Sequence, residues 1–233
     1  MPQRLPPPGY PGSYAQSGRP GRGPTSVFDY PSAFVMARDA FHGPEVLLMG
    51  KVKLRQELRL RRAAISKASR ADFSASAAQN LVSIPELSKT ENIGLFASVR
   101  DEIDTRPLFE ELLYRGKNVF FPRMQKQSQS LSWGRIEAWD ALVRGPMGIG
   151  QPVEAPNGSS ELGLIVVPGL GFGLNGGRLG YGAGWYDRTL ELFDGVVVGL
   201  GFECQVLDGV PVEEHDHLVD WIVTELRAVS VKE

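Results

Sequence analysis

The segment at residues 161–168, ELGLIVVP, is apolar along most of its length and lacks the polar alternation of a strand with one face in water. Such a strand is stable only when both of its faces are covered. Similar apolar segments occur at residues 92–97 and 196–202, and helical patterns lie between the three. Strands that alternate with helices predict an α/β fold in three layers, with a mainly parallel, Rossmann-like sheet that carries helices on both faces.

The other elements are predicted from hydrophobic periodicity and from the residues that begin and end helices. Helices are predicted from Lys51 to about Arg70, around Ser74 to Ser83, at residues 105–116 and from about Ala183 to Phe193, with further strands at residues 117–122, 131–136 and 220–225. Thr105 is predicted to cap the third helix and Gly116 to end it. Because parallel sheets bind ligands at the carboxyl ends of their strands, the loop after Val167 is expected to carry the site.

Residues 1–48 differ from the rest of the chain because they hold more than half of its 17 prolines and show little periodicity. They are predicted to be a disordered, Pro/Gly-rich extension, followed by a folded domain at residues 49–233. Arginines in the extension suggest a transit peptide, whereas Asp29, Asp39 and Glu45 oppose that interpretation. Translation that starts at Met49, or cleavage of the extension, is a further interpretation that stays open.

The formal net charge of −2 offers no general attraction to nucleic acids or anionic membranes, so an anionic ligand requires a local group of Lys and Arg. No apolar segment approaches the roughly 20 residues that a membrane helix needs. The single cysteine, Cys204, excludes an internal disulfide and a cysteine-built zinc site, and it fits a reducing compartment. A cytoplasmic monomer is expected, or a mitochondrial protein if residues 1–48 act as a presequence.

The stretch from Gly176 to Asp187 is predicted to be a phosphate-binding loop that opens a helix, as in an enzyme that uses a nucleotide. It lies in PGLGFGLNGGRLGYGAGWYDR, which follows the strand ending at Val167. Glycines let the backbone approach a phosphate and adopt positive φ, and the first N–H groups of a helix favour an anion. Arg178 adds a fixed positive fork within the same stretch.

Other interpretations of these glycines fit less well. Gly171, Gly173 and Gly176 have G-x-G-x-x-G spacing, but the loop continues beyond Gly176, whereas a dinucleotide fingerprint requires the helix to begin within the motif. The Gly-Lys-Ser/Thr of a Walker A motif is absent from the sequence. A glycine-rich surface turn would leave the presence of Arg178 and Trp185 in the same stretch unexplained.

The sequence RLGYGAGWYDR at residues 178–188 resembles the RLG(Y/R)GxGYYDR signature of the 5-formyltetrahydrofolate cyclo-ligases, also called methenyltetrahydrofolate synthetases. Further motifs similar to those of this family occur in the same order: K-x-x-L-R at 51–55, E-(I/V)-D-T at 102–105, G-K-x-V-x-x-P-R at 116–123, G-I-x-x-P at 148–152, V-P-G at 167–169 and P-V-E-x-H-D at 211–216. The resemblance covers residues 51–226, and it implies that the α/β fold is of the cyclo-ligase type and that residues 49–233 form the catalytic domain.

The resemblance implies a reaction in which ATP drives ring closure of 5-formyltetrahydrofolate to 5,10-methenyltetrahydrofolate, with release of ADP and phosphate. A formamide oxygen is a poor leaving group, and transfer of the γ-phosphoryl group to it creates an activated imidate phosphate. The neighbouring folate nitrogen can then attack, and phosphate leaves. Such a reaction needs positioning and charge neutralisation from Lys, Arg, backbone N–H groups and Mg²⁺ as the cofactor of ATP.

The resemblance also implies a set of site residues. ATP would be bound by Lys51, Val52, Lys53, Leu54, Arg55, Arg178, Leu179, Gly180, Tyr181, Gly182, Ala183, Gly184, Trp185 and Tyr186, with catalytic roles for Lys51, Arg55, Arg178 and Tyr186. Folate would be contacted by Ala97, Glu102, Tyr181, Gly182, Ala183, Gly184 and Trp185, and Mg²⁺ would be bound by Asp187 and Asp216. For Lys51 and Arg55, a solvated basic helix face is the alternative explanation.

The chain departs from the family pattern at three positions of the signature. Trp185 stands where many members carry Tyr, Ala183 where many carry Gly, and Tyr181 where some carry Arg; these changes bear on substrate fit rather than on the reaction class. Two rival functions stay open: a folate- or nucleotide-binding paralogue without turnover, and a sugar-phosphate isomerase or transferase on a related scaffold.

Overall fold

The computed structural model describes residues 50–214 and 216–231. The helices in this range are α1 (Lys51–Ala63), α2 (Lys67–Val82), α3 (Pro85–Lys89), α4 (Arg106–Tyr114) and α5 (Trp185–Leu190). The strands are β1 (Asn92–Gly94), β2 (Asn118–Gln125), β3 (Ser130–Arg135), β4 (Val143–Arg144), β5 (Gly150–Gln151), β6 (Leu164–Val167), β7 (Gly171–Gly173), β8 (Arg178–Leu179), β9 (Val196–Leu200), β10 (Val206–Leu207), β11 (Trp221–Val223) and β12 (Ala228–Ser230). The predicted extension at residues 1–48 lies outside the described residues.

Seven strands form the main sheet in the order β12-β11-β9-β6-β1-β2-β3. The five inner strands are mutually parallel, and the edge strands β3 and β12 are antiparallel to their neighbours. Parallel neighbours require crossover connections, and α4 and α5 lie in the crossovers from β1 to β2 and from β6 to β9. The predicted fold class, a mainly parallel sheet with helices on both faces, is confirmed.

Strand β6 shows why the sheet needs two covers. Leu164 and Val166 belong to the core that includes residues of α2 and α4, whereas Ile165 and Val167 belong to the core that includes residues of α5. All four side chains are fully buried. Successive residues of a strand point to opposite faces, so an apolar run in the sequence corresponds to a strand enclosed between two layers of helices.

Helix α1 packs on a second, smaller sheet in the order β10-β7-β8, which the sequence did not predict. Leu54 and Leu58 of the helix share a core with Leu170 and Leu179, and all four side chains are buried. A Cβ atom at Gly171 would lie 2.6 Å from Leu58 Cδ1, so this close approach requires glycine. The packing holds α1 against the strands that flank the glycine-rich loop.

The predicted single helix from Lys51 to about Arg70 is wrong, because the chain forms two helices with a break at residues 64–66. Ser66 begins α2: its Oγ accepts a hydrogen bond from the Ser69 N–H at 3.1 Å. A serine at this position competes with helix continuation by satisfying an N–H group that would otherwise be unpaired. The basic pattern of residues 51–70 concealed this boundary.

The third predicted helix begins and ends at the predicted residues, but the Thr105 side chain does not cap it. Gly116 follows α4 in the left-handed region, at φ +75°, where glycine is favoured. Thr105 lies at the N-cap position, yet its hydroxyl donates to the Phe96 carbonyl at 2.7 Å and makes no cap hydrogen bond. This bond ties the start of α4 to the segment that follows β1.

Glu225 is a buried carboxyl group at the turn between β11 and β12, and it should make stability depend on pH. Burial raises its pKa from the ordinary 4.5 to about 7, although the Glu203 N–H donates to both oxygens at 3.0 and 3.2 Å. The folded protein therefore binds this proton more tightly than the unfolded chain does. The contribution of Glu225 is most favourable below pH 4.5 and is lost as the pH rises towards 7.

We therefore expect Glu225→Gln to reduce the loss of unfolding free energy between pH 5 and pH 8 by about 1–3 kcal/mol relative to wild type. The measurement is urea unfolding at both pH values. Glu91→Gln, at an exposed carboxylate, is the control and should leave the wild-type pH dependence unchanged. Equal pH dependence in wild type and Glu225→Gln would contradict this prediction.

Candidate active site

The order of the main sheet reverses between β1 and β6. From β1 the chain proceeds outward through β2 to β3, and it then returns to β6 and proceeds the other way through β9 and β11. A crevice is expected beyond the carboxyl ends of the strands at such a switch point. A cavity of about 1130 Å³ opens there, lined by residues that follow β1, by Pro122 and Met124 near the end of β2, and by Pro168 after β6.

The glycine-rich loop forms one wall of this cavity, which every residue from Arg178 to Arg188 lines. Gly182 and Gly184 have φ values of +98° and +67°, in the region that favours glycine, and Gly184 is the N-cap residue of α5. Arg55 of α1 donates from Nε to the Gly180 carbonyl at 2.9 Å. Helix α1 therefore holds the loop through a side chain as well as through the core beneath it.

Lys51, the first residue of α1, forms ion pairs with two carboxylates from the far end of the chain. Its Nζ atom lies 2.8 Å from Asp216 Oδ2 and 3.1 Å from Glu213 Oε1. Burial disfavours the charged ammonium, but the hydrogen bonds and charges of these carboxylates outweigh it and raise the pKa of Lys51. The lysine is therefore a permanent cation at the cavity wall.

Arg178 is almost fully enclosed, with 5% of its side chain exposed, and it pairs with Asp187. Its Nη2 atom donates to Asp187 Oδ1 at 2.6 Å, and its guanidinium lies 5.6 Å from the centre of the Tyr186 ring. Nε is buried and has no hydrogen-bond partner among the described residues. A buried donor without a partner is costly, so this atom is a natural contact for an anionic ligand.

Glu102 contributes a buried carboxylate on the side of the cavity that follows β1; 7% of its side chain is exposed. It accepts hydrogen bonds from the Val99 N–H at 3.0 Å and from the Tyr181 hydroxyl at 3.1 Å. Burial raises the pKa of Glu102, while these hydrogen bonds and the charge of Arg62 oppose that rise without cancelling it. The pKa of Glu102 therefore depends on its burial, on the hydrogen bonds that it accepts and on the charge of Arg62.

Most residues of the predicted site meet at this one cavity. The predicted residues that line it are Lys51, Arg55, Ala97, Glu102, Arg178, Leu179, Gly180, Tyr181, Gly182, Ala183, Gly184, Trp185, Tyr186, Asp187 and Asp216. Val52, Lys53 and Leu54 do not line it: the first two are exposed, and Leu54 is buried in the core under α1. A helix presents only part of its circumference to a cavity, which is why these three residues of the predicted range 51–55 lie apart from it.

Sequence reasoning missed the apolar wall of the cavity. Its members come from the segment after β1, from β2 and β3 and from the β4–β5 turn: Phe96, Val99, Pro122, Met124, Leu131, Met147 and Ile149. Apolar residues near strand ends look like core residues in a sequence, so no local signal separates them. Met147 differs from the other members because it is 72% exposed and has φ +55°.

The comparisons with known sequences agree on one family. A sequence model of the 5-formyltetrahydrofolate cyclo-ligase family matches residues 48–225. The 5-formyltetrahydrofolate cyclo-ligase of Mus musculus is 31% identical over 186 residues, which cover 74% of this chain and 92% of the mouse protein. That of Escherichia coli (strain K12) is 30% identical over 174 residues, which cover 72% of this chain and 96% of the bacterial protein.

The comparisons with solved structures agree with these matches. The NMR structure of the 5,10-methenyltetrahydrofolate synthetase of Aquifex aeolicus superposes with a TM-score of 0.70 at 33% identity and covers 79% of this chain and 94% of its own. A 5,10-methenyltetrahydrofolate synthetase from Mycoplasma pneumoniae gives a TM-score of 0.62 at 20% identity, with 76% of this chain and 99% of the other covered. The second likeness supports the fold alone.

The positive φ of Gly182 in the glycine-rich loop can be tested by substitution. At Gly182 the atoms nearest to a Cβ atom would be those of the Arg55 guanidinium, at 3.6 Å or more, so substitution is opposed by the φ of +98° rather than by space. We expect Gly182→Ala to lower the free energy of unfolding by about 1 kcal/mol. Gly158→Ala is the matched control: at φ −79° an alanine should be neutral or stabilise by up to about 1 kcal/mol.

Chemical denaturation of the two variants and wild type measures both effects. The difference between the two variants matters more than either value, because both substitutions add the same methyl group. An unchanged stability in Gly182→Ala would show that the loop does not need its left-handed residue.

Proposed function

The chain belongs to the 5-formyltetrahydrofolate cyclo-ligase family, and from that premise we propose that its reaction takes place in the cavity between β1 and β6. The reaction is the ATP-dependent closure of 5-formyltetrahydrofolate to 5,10-methenyltetrahydrofolate, with release of ADP and phosphate. One observation carries the location: a single cavity combines cations from α1 and the glycine-rich loop with an apolar wall and a buried carboxylate from the strand ends. A highly charged nucleotide and an aromatic pterin need those two surfaces side by side.

The nucleotide binds at the wall formed by α1 and the glycine-rich loop. Lys51, Arg55 and Arg178 come from two separate parts of the chain and line the same cavity. Each already contacts an oxygen of the protein: Asp216 for Lys51, the Gly180 carbonyl for Arg55 and Asp187 for Arg178. These contacts orient the cations before ATP arrives, so the polyphosphate meets preorganised charge.

The folate binds against the apolar wall. Glu102 accepts hydrogen bonds from the amino-pterin, and Ala97 contacts the ring from the same segment. Trp185 offers an aromatic face, which lies 5.8 Å from the Arg188 guanidinium. An indole held by a cation is suited to stacking on the pterin or on the aminobenzoyl ring. Tyr181 joins the folate side to the loop through its hydroxyl.

The chemistry proceeds in two displacements. The formyl oxygen attacks the γ-phosphorus, the bond to the bridging oxygen breaks, and ADP leaves. Nitrogen 10 of the folate then attacks the formyl carbon, loses its proton, and expels phosphate as the carbon–oxygen bond breaks. Lys51, Arg55 and Arg178 stabilise the charge on the transferring phosphoryl group. Burial raises the pKa of Tyr186, so its hydroxyl stays protonated and can donate to a phosphate oxygen.

Asp187 and Asp216 suit Mg²⁺, which uses one or two carboxylates together with phosphate and water oxygens. Both carboxylates line the cavity, and each is paired with a cation of the proposed nucleotide wall. The described residues contain no group of three or more His, Cys, Asp and Glu that could hold a metal ion. When bound, Mg²⁺ would neutralise phosphate charge.

The proposal extends to the organisation of the chain. Residues 49–233 are the catalytic domain, residues 1–48 are an extension, and the enzyme is a cytoplasmic monomer that binds small molecules rather than nucleic acid. The described residues include no helix that is long and apolar enough to cross a membrane. Light scattering of the purified protein tests the monomer, and mass spectrometry of the native amino terminus tests the extension.

The absorbance of methenyltetrahydrofolate tests the activity directly. Folded protein with 5-formyltetrahydrofolate and Mg-ATP should form product, and omission of ATP should abolish it. Binding of both ligands without product would indicate a paralogue that has lost turnover. Folded protein that neither binds the folate nor forms product would overturn the proposed function.

Lys51 and Lys53 provide a matched pair for the nucleotide wall, since only Lys51 lines the cavity. We expect Lys51→Met to lower kcat/KM for ATP by about 10- to 100-fold, the range for a lost charged hydrogen bond. Lys53→Met should stay within about twofold of wild type, because that side chain is exposed. Steady-state kinetics with saturating folate measures both, and equal losses in the two variants would contradict the assignment.

Asp187 and Glu191 provide a similar pair for the metal, since both line the cavity and only Asp187 is a proposed ligand. Asp187→Asn keeps an oxygen that can accept from Arg178 but removes the charge. It should raise the Mg²⁺ concentration for half-maximal activity by at least about tenfold. Glu191→Gln should leave that concentration unchanged. The measurement is a Mg²⁺ titration at fixed ATP, and a wild-type midpoint in Asp187→Asn would rule the ligand out.

A further inference from the structure

Arg62 of α1 is a buried cation that no motif of the sequence singled out. Only 3% of the residue is exposed, and its side chain is not among those that line the cavity. The guanidinium donates two hydrogen bonds to Asp101, from Nε to Oδ2 at 3.1 Å and from Nη2 to Oδ1 at 3.0 Å. Nη2 also donates to the Tyr181 hydroxyl at 2.7 Å.

The remaining guanidinium nitrogen of Arg62 faces Glu102. Nη1 lies 3.8 Å from Glu102 Oε1, and it is buried without a hydrogen-bond partner among the described residues. The Tyr181 hydroxyl, which receives a hydrogen bond from Arg62, donates in turn to the same Glu102 oxygen at 3.1 Å. Arg62 therefore acts on Glu102 by two routes, directly through its charge and indirectly through the phenol.

We propose that Arg62 is a positioning residue that keeps Glu102 ionised and oriented towards the amino-pterin, and thereby sets the pH range in which folate binds. The inference rests on the proposed function, because it assigns Glu102 to the folate. Arg62 itself touches neither substrate. Arg62 lies on α1, the helix that also carries Lys51 and Arg55. The helix proposed to bind the nucleotide therefore also supports Glu102, the carboxylate proposed to bind the folate.

The charges around Glu102 support this role. The groups that face it are Arg62 from α1, Asp101 from its own loop, and Tyr181 and Tyr186 from the glycine-rich segment. Arg62 is the cation of this set. Burial raises the pKa of Glu102, and the Arg62 charge opposes that rise more strongly than the Asp101 charge adds to it. Loss of the guanidinium would therefore leave Glu102 protonated at a higher pH.

A protonated Glu102 would bind the pterin poorly. The carboxylate form accepts hydrogen bonds at both oxygens, whereas the acid form donates from one of them. Adjacent donors on an amino-pterin edge need two acceptors. Folate affinity should thus fall on the acid side of the Glu102 titration and recover above it. A merely structural loss would instead weaken binding equally at every pH.

The experiment compares Arg62→Met, Arg62→Lys and Arg61→Met with wild type. Arg61 is the neighbouring buried arginine, and its Nε lies 3.3 Å from Glu57 Oε1. Calorimetry measures the dissociation constant of 5-formyltetrahydrofolate from pH 5.5 to pH 9, and kinetics measures KM for folate and kcat over the same range. If Arg62→Met does not fold, the double variant Arg62→Met/Asp101→Asn takes its place in the experiment, because it removes both charges of the ion pair.

The acid limb is the low-pH range in which folate affinity falls as Glu102 becomes protonated. We expect this limb to move to higher pH by about one unit in Arg62→Met, so that folate binds about tenfold more weakly at pH values below the Glu102 titration. Near pH 9, folate binding by Arg62→Met should approach the wild-type value and its kcat should change little. Arg62→Lys keeps the positive charge and should reverse most of the shift. Arg61→Met should follow wild type. If wild type is active and the limb of Arg62→Met does not move, or affinity falls equally at all pH values, the role of Arg62 is wrong. If wild type neither binds folate nor turns over, the proposed function fails instead.

Discussion

Enclosure of the central strands on both faces is the constraint from which the rest of this structure follows. Strand β6 is fully buried, so helices must cover each side of the sheet, and the chain must cross from one side to the other. That change of side occurs between β1 and β6, where the strand order reverses. The cavity is therefore a consequence of how the sheet is covered, and its walls are the loops that leave those strands.

The features that depend on local pattern were predictable from the sequence. Apolar runs gave the inner strands and the fold class, and the signature at residues 178–188 indicated the loop that lines the cavity. Features that depend on tertiary contact were not. The small sheet under α1 consists of two- and three-residue strands, too short for a periodic signal, and the apolar cavity wall looks like core.

Arg62 shows the same limit at a single residue. In the sequence it belongs to a run of basic residues that is typical of a solvated helix face. In the structure Arg62 is buried, because its guanidinium forms hydrogen bonds with Asp101 and Tyr181, which lie 39 and 119 residues further along the chain. Which arginine of a basic helix is structural depends on partners that the helix itself does not contain. The assignments of individual site residues accordingly remain predictions, while the family is established.

The pairing of Lys51 with Asp216 spans 165 residues. Helix α1 and the loop that carries Asp216 must therefore both be present before the wall that we propose for the nucleotide is complete. During synthesis, a ribosome-bound chain that lacks the final segments would have a partly formed sheet and no complete pocket. Ligands can stabilise only the state that binds them, so ATP and folate would favour the finished domain and leave incomplete chains unprotected.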